Sequence, residues 1–254
     1  KGNLLGISNS GRTDAFVIKF NSSGTKQWTK KLGTWQNDLA NGVATDSSGN
    51  FYVTGFTYQH LDGNTSAGNA DLFVVKYNSS GTKKWTKQLG TSKHDRARGV
   101  ATDSSGNVYV TGFTAGGLDG SNAGSNDLFV VKYYDNGTNQ WTKQLGTSSG
   151  DVARGVATDS SGNVYVAGGT NGGLDGNTNA GNTDLFVVKY NSSGTKQWTR
   201  QLGSSSRDSA NGVATDSSGN VYVAGGTYGG LDGNTNAGSN DLFVVKYNSS
   251  GTKQ

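Results

Sequence analysis

The chain has 254 residues, a formal net charge of +4 and no Cys, Pro or Met, while Gly accounts for 41 positions. That length can bury a sizeable core without disulfide or metal staples, and the absence of Cys excludes thiol catalysis and thiolate metal sites. All 18 acidic residues are Asp, so paired-Glu glycosidase and sialidase chemistry is excluded as well.

The chain opens with KGNLLGISNSGRTDAFVIKF, a diverged copy of the later SGNVYVAGGT and DLFVVKY segments, and it starts at Lys1 without Met or a signal-like apolar stretch. We read it as starting inside a repeat of a longer array. Phe16, Phe73, Phe129, Phe186 and Phe243 recur at intervals of 57, 56, 57 and 57 residues, and Trp28, Trp85, Trp141 and Trp198 follow at matching intervals. Each full period holds four strand candidates. In the copy from 42 to 90 these are GVATD (42–46), NFYVTGFT (50–57), DLFVVKY (71–77) and TKKWTKQLG (82–90), termed A to D.

Strands B and C are almost continuously apolar and are expected to be covered on both faces. Strand D alternates and carries Lys, as an outer edge should. Strand A is short and small, which suits an inner position. The tight DSSGN connection between A and B signals an antiparallel hairpin and argues against a parallel β-helix.

The expected fold is all-β: a β-propeller of four-stranded antiparallel blades, with about five blades' worth of repeats. Residues 1–34 supply B, C and D. Three complete blades occupy 35–91, 92–147 and 148–204, and 205–254 supply A, B and C. The eighteen strands implied by these bounds point to part of a larger propeller.

The strings DLFVVKYNSSGTKQWTKQLG and GVATDSSGNVYVAGGT resemble the bacterial SBBP β-propeller repeat across essentially the whole chain. The long LDGNTNAG loop departs from the shorter family unit. The resemblance implies the fold and an extracellular or cell-surface location, and it supplies no catalytic motif.

GVATDSSGN is identical in four copies, as is LFVVKY, whereas the D-to-A and B-to-C connections differ. In an up-and-down sheet both of those connections lie on one rim. Loops on a rigid scaffold are where binding residues concentrate, and neutral drift in exposed loops is the competing explanation. The candidate ligand-binding residues on this rim are Trp35, Tyr58, His60, His94, Arg96, Arg98, Arg154, Arg207 and Tyr228. Arg and aromatic side chains are the residue types that dominate binding hot spots.

His60 and His94, with Asp62 and Asp95, offer an acid/base or metal pair, but no third His or Cys supports a tight transition-metal site. Asp38, Asp95, Asp151 and Asp208 recur before strand A, either as a carboxylate ring or as structural turn residues. Asp175, Asn177, Asn179 and Asp184 space themselves like half of a calcium loop. Gly181 falls one place late and the bidentate Glu is missing, so calcium is a weak candidate and no other cofactor is expected.

The basic residues are spread through the strands and do not form the concentrated patch that nucleic acid requires. No apolar run reaches the roughly 18 residues of a membrane-spanning helix. The functional expectation is a non-enzymatic, secreted or surface-associated scaffold that binds a glycan or a protein through one loop rim. A structural array that assembles into larger particles or filaments is the alternative, ahead of an enzyme at the channel mouth.

Overall fold

In the computed structural model, which describes residues 10–254, seventeen strands form five antiparallel sheets in chain order. The first sheet pairs β1 (Ala15–Phe20) with β2 (Lys26–Leu32). The second runs β3 (Asp38–Thr45), β4 (Phe51–Thr57), β5 (Asp71–Tyr77) and β6 (Lys83–Leu89). The third contains β7 (Asp95–Thr102), β8 (Val108–Thr114), β9 (Asp127–Tyr133) and β10 (Asn139–Leu145). The fourth contains β11 (Asp151–Thr158), β12 (Val164–Thr170), β13 (Asp184–Tyr190) and β14 (Lys196–Leu202). The last contains β15 (Asp208–Thr215), β16 (Val221–Thr227) and β17 (Asp241–Tyr247). The B strand expected before β1 lies outside the described residues.

This is the blade pattern of a β-propeller. The innermost strands β3, β7, β11 and β15 pack on one another in sequence. Strands β4, β5 and β9 are buried along their whole length, as continuous apolar runs require.

The core lies between blades. Leu128 and Val130 of the third blade pack with Phe186 and Val188 of the fourth, and Leu185 and Val187 of the fourth pack with Phe243 and Val245 of the fifth. One face of each C strand therefore meets the preceding blade and the other face meets the next. At the two ends this partnership is unfilled. Leu242 is 85% exposed and Val244 65%, although their counterparts Leu185 and Val187 are fully buried; Phe16 is 52% exposed, although Phe73 is buried.

Turn chemistry fixes the opposite rim. In DSSGN, the Asp46 carboxylate accepts from the Ser48 and Asn50 backbone N–H groups, both at 2.9 Å, and from the Tyr52 hydroxyl at 3.0 Å. Asp103, Asp159 and Asp216 repeat the arrangement. Burial pushes Asp46 and Asp159 up, but the combined hydrogen bonds from Asn, Ser and Tyr outweigh it and hold both below the usual carboxylate range. Tyr165, whose hydroxyl donates to Asp159, is pushed well above the ordinary phenol by burial and then by that carboxylate.

One boundary differs from the sequence expectation. Strand A is eight residues long and begins at Asp38, Asp95, Asp151 and Asp208, four residues before the GVATD segment. It absorbs the second half of the stretch assigned to a variable loop. The cause is a bulge: pairing skips from Ala97 to Gly99 and from Ala153 to Gly155, with the same skip at Ala40/Gly42 and Ala210/Gly212. An extra residue breaks the alternation by which a strand is recognised.

Candidate functional site

The rim that carries the D-to-A and B-to-C connections is built on Asp side chains. The buried Asp95 carboxylate accepts from the Thr91 backbone N–H at 2.6 Å, from the Thr91 hydroxyl at 2.9 Å and from the Thr114 hydroxyl. Asp151 and Asp208 repeat this with Thr147 and Thr170, and with Ser204 and Thr227. Burial raises Asp95 and Asp151 above the usual carboxylate range despite these donors, and the charges of Asp71 and Asp127 add to the rise. These carboxylates do not form an open ring: all four are fully buried, and they hold the entry into the inner strand.

The two connections of each blade are joined directly. Tyr58 N–H donates to the Asn37 carbonyl at 3.3 Å, Ala115 to His94 at 2.8 Å, Asn171 to Gly150 at 2.9 Å and Tyr228 to Arg207 at 2.9 Å. Trp35 and Tyr228 project from this rim, 65% and 51% exposed.

Between the second and third blades the structure gathers three of the candidates. The Arg96 guanidinium donates to the Tyr58 hydroxyl at 2.8 Å and lies 4.6 Å from the Phe56 ring centre. His94 meets Tyr58 edge to face with centroids 6.3 Å apart. Such a stacked cation is rigid and partly desolvated.

His60 is not part of this group. Its Nδ1 accepts from the Ser66 backbone N–H at 2.9 Å, and no hydrogen bond or ring contact joins it to His94. Asp62 pairs with Lys83 at 2.6 Å, and Asp95 is committed to its turn. The acid/base or metal pair that these four residues offered as a possibility is therefore not assembled. Among the described residues, no group of three or more His or Asp side chains is placed to hold a metal.

Arg96, Arg98 and Arg154 sit on strands β7 and β11, not in loops, which corrects the sequence placement. Arg98 and Arg154 occupy the bulge positions, and Arg207 directly precedes β15. Burial, followed by the charges of Arg207 and Arg98, pushes the Arg154 guanidinium below its usual value.

The weak calcium candidates are engaged by their own loop. Asp175 pairs with Lys196 and accepts from the Thr199 hydroxyl at 2.8 Å; Asn177 Nδ2 donates to the Leu174 carbonyl at 2.7 Å. Asn179 Oδ1 accepts from Gly181 N–H at 2.9 Å, and Asp184 accepts from Ala180 N–H and Gln201 Nε2, each at 2.8 Å. This is the pattern of an Asn-stabilised turn.

A further set of structural residues went unremarked in the sequence. The glycine after each Leu of strand D, such as Gly90, touches the carboxylate of the Asp that opens strand C, here Asp71, and a Cβ there would fall inside that carboxylate. The invariant Leu-Gly ending of the D strands was its only signal.

No helix among the described residues is long and apolar enough to cross a membrane. The comparison with curated proteins finds an uncharacterized WD repeat-containing protein of Acanthamoeba polyphaga mimivirus, 26% identical over 227 residues, covering 69% of this chain and 16% of that protein. Regulatory protein FlaEY of Caulobacter vibrioides is 26% identical over 177 residues, covering 63% of this chain and 19% of that protein. The chain thus spans less than a fifth of the length of these relatives. Among solved structures, a Xanthomonas campestris gluconolactonase superposes with a TM-score of 0.47 at 12% identity, covering 89% of this chain and 63% of that one. A Bacteroides caccae protein of unknown function gives 0.49 at 12% identity, covering 91% and 85%. The SBBP β-propeller repeat model matches residues 27–61, 84–119, 140–175 and 197–232, more than half of the chain, which therefore belongs to that family of β-propeller repeats.

Proposed function

We propose that this propeller is a non-enzymatic binding scaffold that recognises a glycan or a protein through the rim bearing Trp35, Tyr58, Tyr228 and the inner-strand arginines. The carrying observation is that differences between the copies concentrate in the D-to-A and B-to-C connections of one rim, where Trp35 and Tyr228 stand exposed, while the DSSGN turns of the opposite rim are identical in four copies. Rigid sheets hold such loops in place, and exposed aromatics supply contact area at low entropic cost. The rim carboxylates and His60 are engaged in turn hydrogen bonds, which favours binding over acid/base chemistry. An extracellular or surface location fits the family resemblance and is part of this proposal.

A panel of immobilised glycans and surface proteins tests the reading. Capture should be lost in Trp35→Ala and Tyr228→Ala with unchanged thermal unfolding, since both side chains are exposed. Capture that survives both substitutions would overturn it.

A further inference from the structure

We propose that Arg98, Arg154 and Arg207 form an oxyanion-binding site across the inner strands of the third, fourth and fifth blades, and that its ligand is the sulfate or uronate group of an acidic polysaccharide. The proposal rests on the scaffold reading above and names its ligand class.

The placement follows from the bulges. In each inner strand one residue is squeezed out of the ladder: Asn41 in β3, Arg98 in β7, Arg154 in β11 and Asn211 in β15. These strands approach closely because glycine follows each bulge. A Cβ on Gly99 would lie 3.1 Å from the Arg154 carbonyl oxygen, and one on Gly42 would lie 3.2 Å from that of Arg98. Two adjacent blades thus bring arginine to equivalent places, and the next blade carries Arg207 directly before β15. The four-fold repetition is broken here: Asn41 satisfies itself by donating to the Ala97 carbonyl at 2.8 Å, and neither arginine makes the matching bond. Function grafted on a repeated fold shows itself in such departures.

None of the three guanidinium groups has a hydrogen bond or ion pair to a described residue, and the buried Arg154 Nε lacks an acceptor. Arg98 rests over the Phe113 ring at 5.6 Å, which holds the group without neutralising it. Other basic side chains among the described residues do find partners. Five lysines are paired with Asp, and Arg200 donates to the Gly251 and Thr199 carbonyls. The nearest carboxylates in sequence, Asp95, Asp151 and Asp208, are buried and saturated by Thr and Ser donors. The electrostatics agree: besides burial, the charges acting on Arg154 are those of Arg207 and Arg98, and both repel it.

Cations gathered without a counter-charge are relieved by a bound anion. The planar guanidinium fork matches the paired oxygens of a carboxylate or sulfate. An acidic sugar is favoured over an acidic peptide by the same rim's exposed aromatics, Trp35 and Tyr228, whose faces suit stacking on pyranose rings.

The test is calorimetric titration of the whole chain with a sulfated oligosaccharide, a uronate oligosaccharide, a neutral oligosaccharide and oligo-glutamate. At least one acidic saccharide should bind, more weakly as salt rises, and Arg154→Gln should weaken it about tenfold, the loss of one charge-assisted contact. Arg98→Gln, at an exposed position, should act in the same direction and keeps the test decisive if Arg154→Gln does not fold. Arg154→Lys should recover only part of the loss, because it keeps the charge without the fork. Between the two acidic saccharides, the tighter binder identifies the oxyanion. Unchanged affinity in the glutamine variants, no binding of either acidic saccharide, or tighter binding of oligo-glutamate would each overturn the site. A neutral glycan or protein that binds through Trp35 and Tyr228 irrespective of the arginines would leave the scaffold standing without this site, whereas a chain that captures nothing from the whole panel loses both.

Discussion

Trp85 Nε1 donates to the Asp135 carbonyl at 2.9 Å, which latches strand β6 of the second blade onto the β9–β10 turn of the third. The ring also packs with Tyr52 of its own blade and Tyr133 of the next, with centroids 6.0 and 6.5 Å apart. Gly137, at φ 81°, lets the turn lie against the indole, since a Cβ there would sit 3.0 Å from it. Trp141 and Trp198 repeat the latch onto Ser192 and Ser249 at 3.2 Å.

The latch sets the energy of a junction. Trp85→Ala should cost about 3 kcal/mol, the low end for a large aromatic because the ring is half-buried. Trp85→Phe should cost about 1 kcal/mol beyond its lost area, the value of one net hydrogen bond. Denaturant unfolding measures both. A loss below 1 kcal/mol for the alanine variant would show that the blades adhere through the apolar C-strand faces alone.

Gly90 should tolerate no side chain. In Gly90→Ala the methyl would enter the Asp71 carboxylate, which is buried and held by Ala67 N–H and Gln88 Nε2, both at 2.8 Å. The expected loss is about 3 kcal/mol, the upper range for overpacking. Gly63→Ala, at φ 79° in open space, should lose only about 1 kcal/mol through its backbone. Equal losses at the two sites would mean that the Asp71 carboxylate yields to the methyl group and does not select glycine after strand D.

Acid should act on two sets of carboxylates in opposite senses. Asp46 and Asp159 lie below their unfolded value of 3.8, so they stabilise the fold above that pH and lose this contribution as pH falls through their folded values. Asp95 and Asp151 lie above 3.8, so the advantage they give is complete below that pH and disappears as pH rises through their folded values. The stability gap between the wild type and Asp159→Asn should be widest near neutrality and close below pH 3.8. A gap that stays constant with pH would mean that Asp159 acts only through turn geometry.

Much of this molecule can be read from its amino acids. Strand C matches residue for residue at 71–77, and strands B and D fall within a residue at each end, because apolar runs and Gly-rich turns delimit them sharply. Strand A is different. Its first half, such as DRAR, is polar and interrupted by a bulge, so neither alternation nor hydrophobicity marks it, and of the four arginines assigned to the rim loops Arg96, Arg98 and Arg154 lie on strands while Arg207 stays in the loop. The Asp residues at its start were legible as turn formers, but their full burial was not, since it depends on Thr114 and its equivalents arriving from strand B. Tyr58, Arg96 and His94 meet only because adjacent blades pack together, and spacing along the chain does not express that.

The identity of LFVVKY in β5, β9, β13 and β17 has one more consequence. Each of these strands presents the same ladder to the same kind of partner, so side chains cannot tell a correct neighbour from the corresponding strand of another blade. The choice falls to chain proximity: a short DSSGN or NSSGT link closes a local hairpin before a distant copy arrives, because loop-closure entropy penalises the longer reach. At high protein concentration that advantage shrinks, and strands exchanged between molecules become the characteristic misassembly of a chain whose copies are so alike.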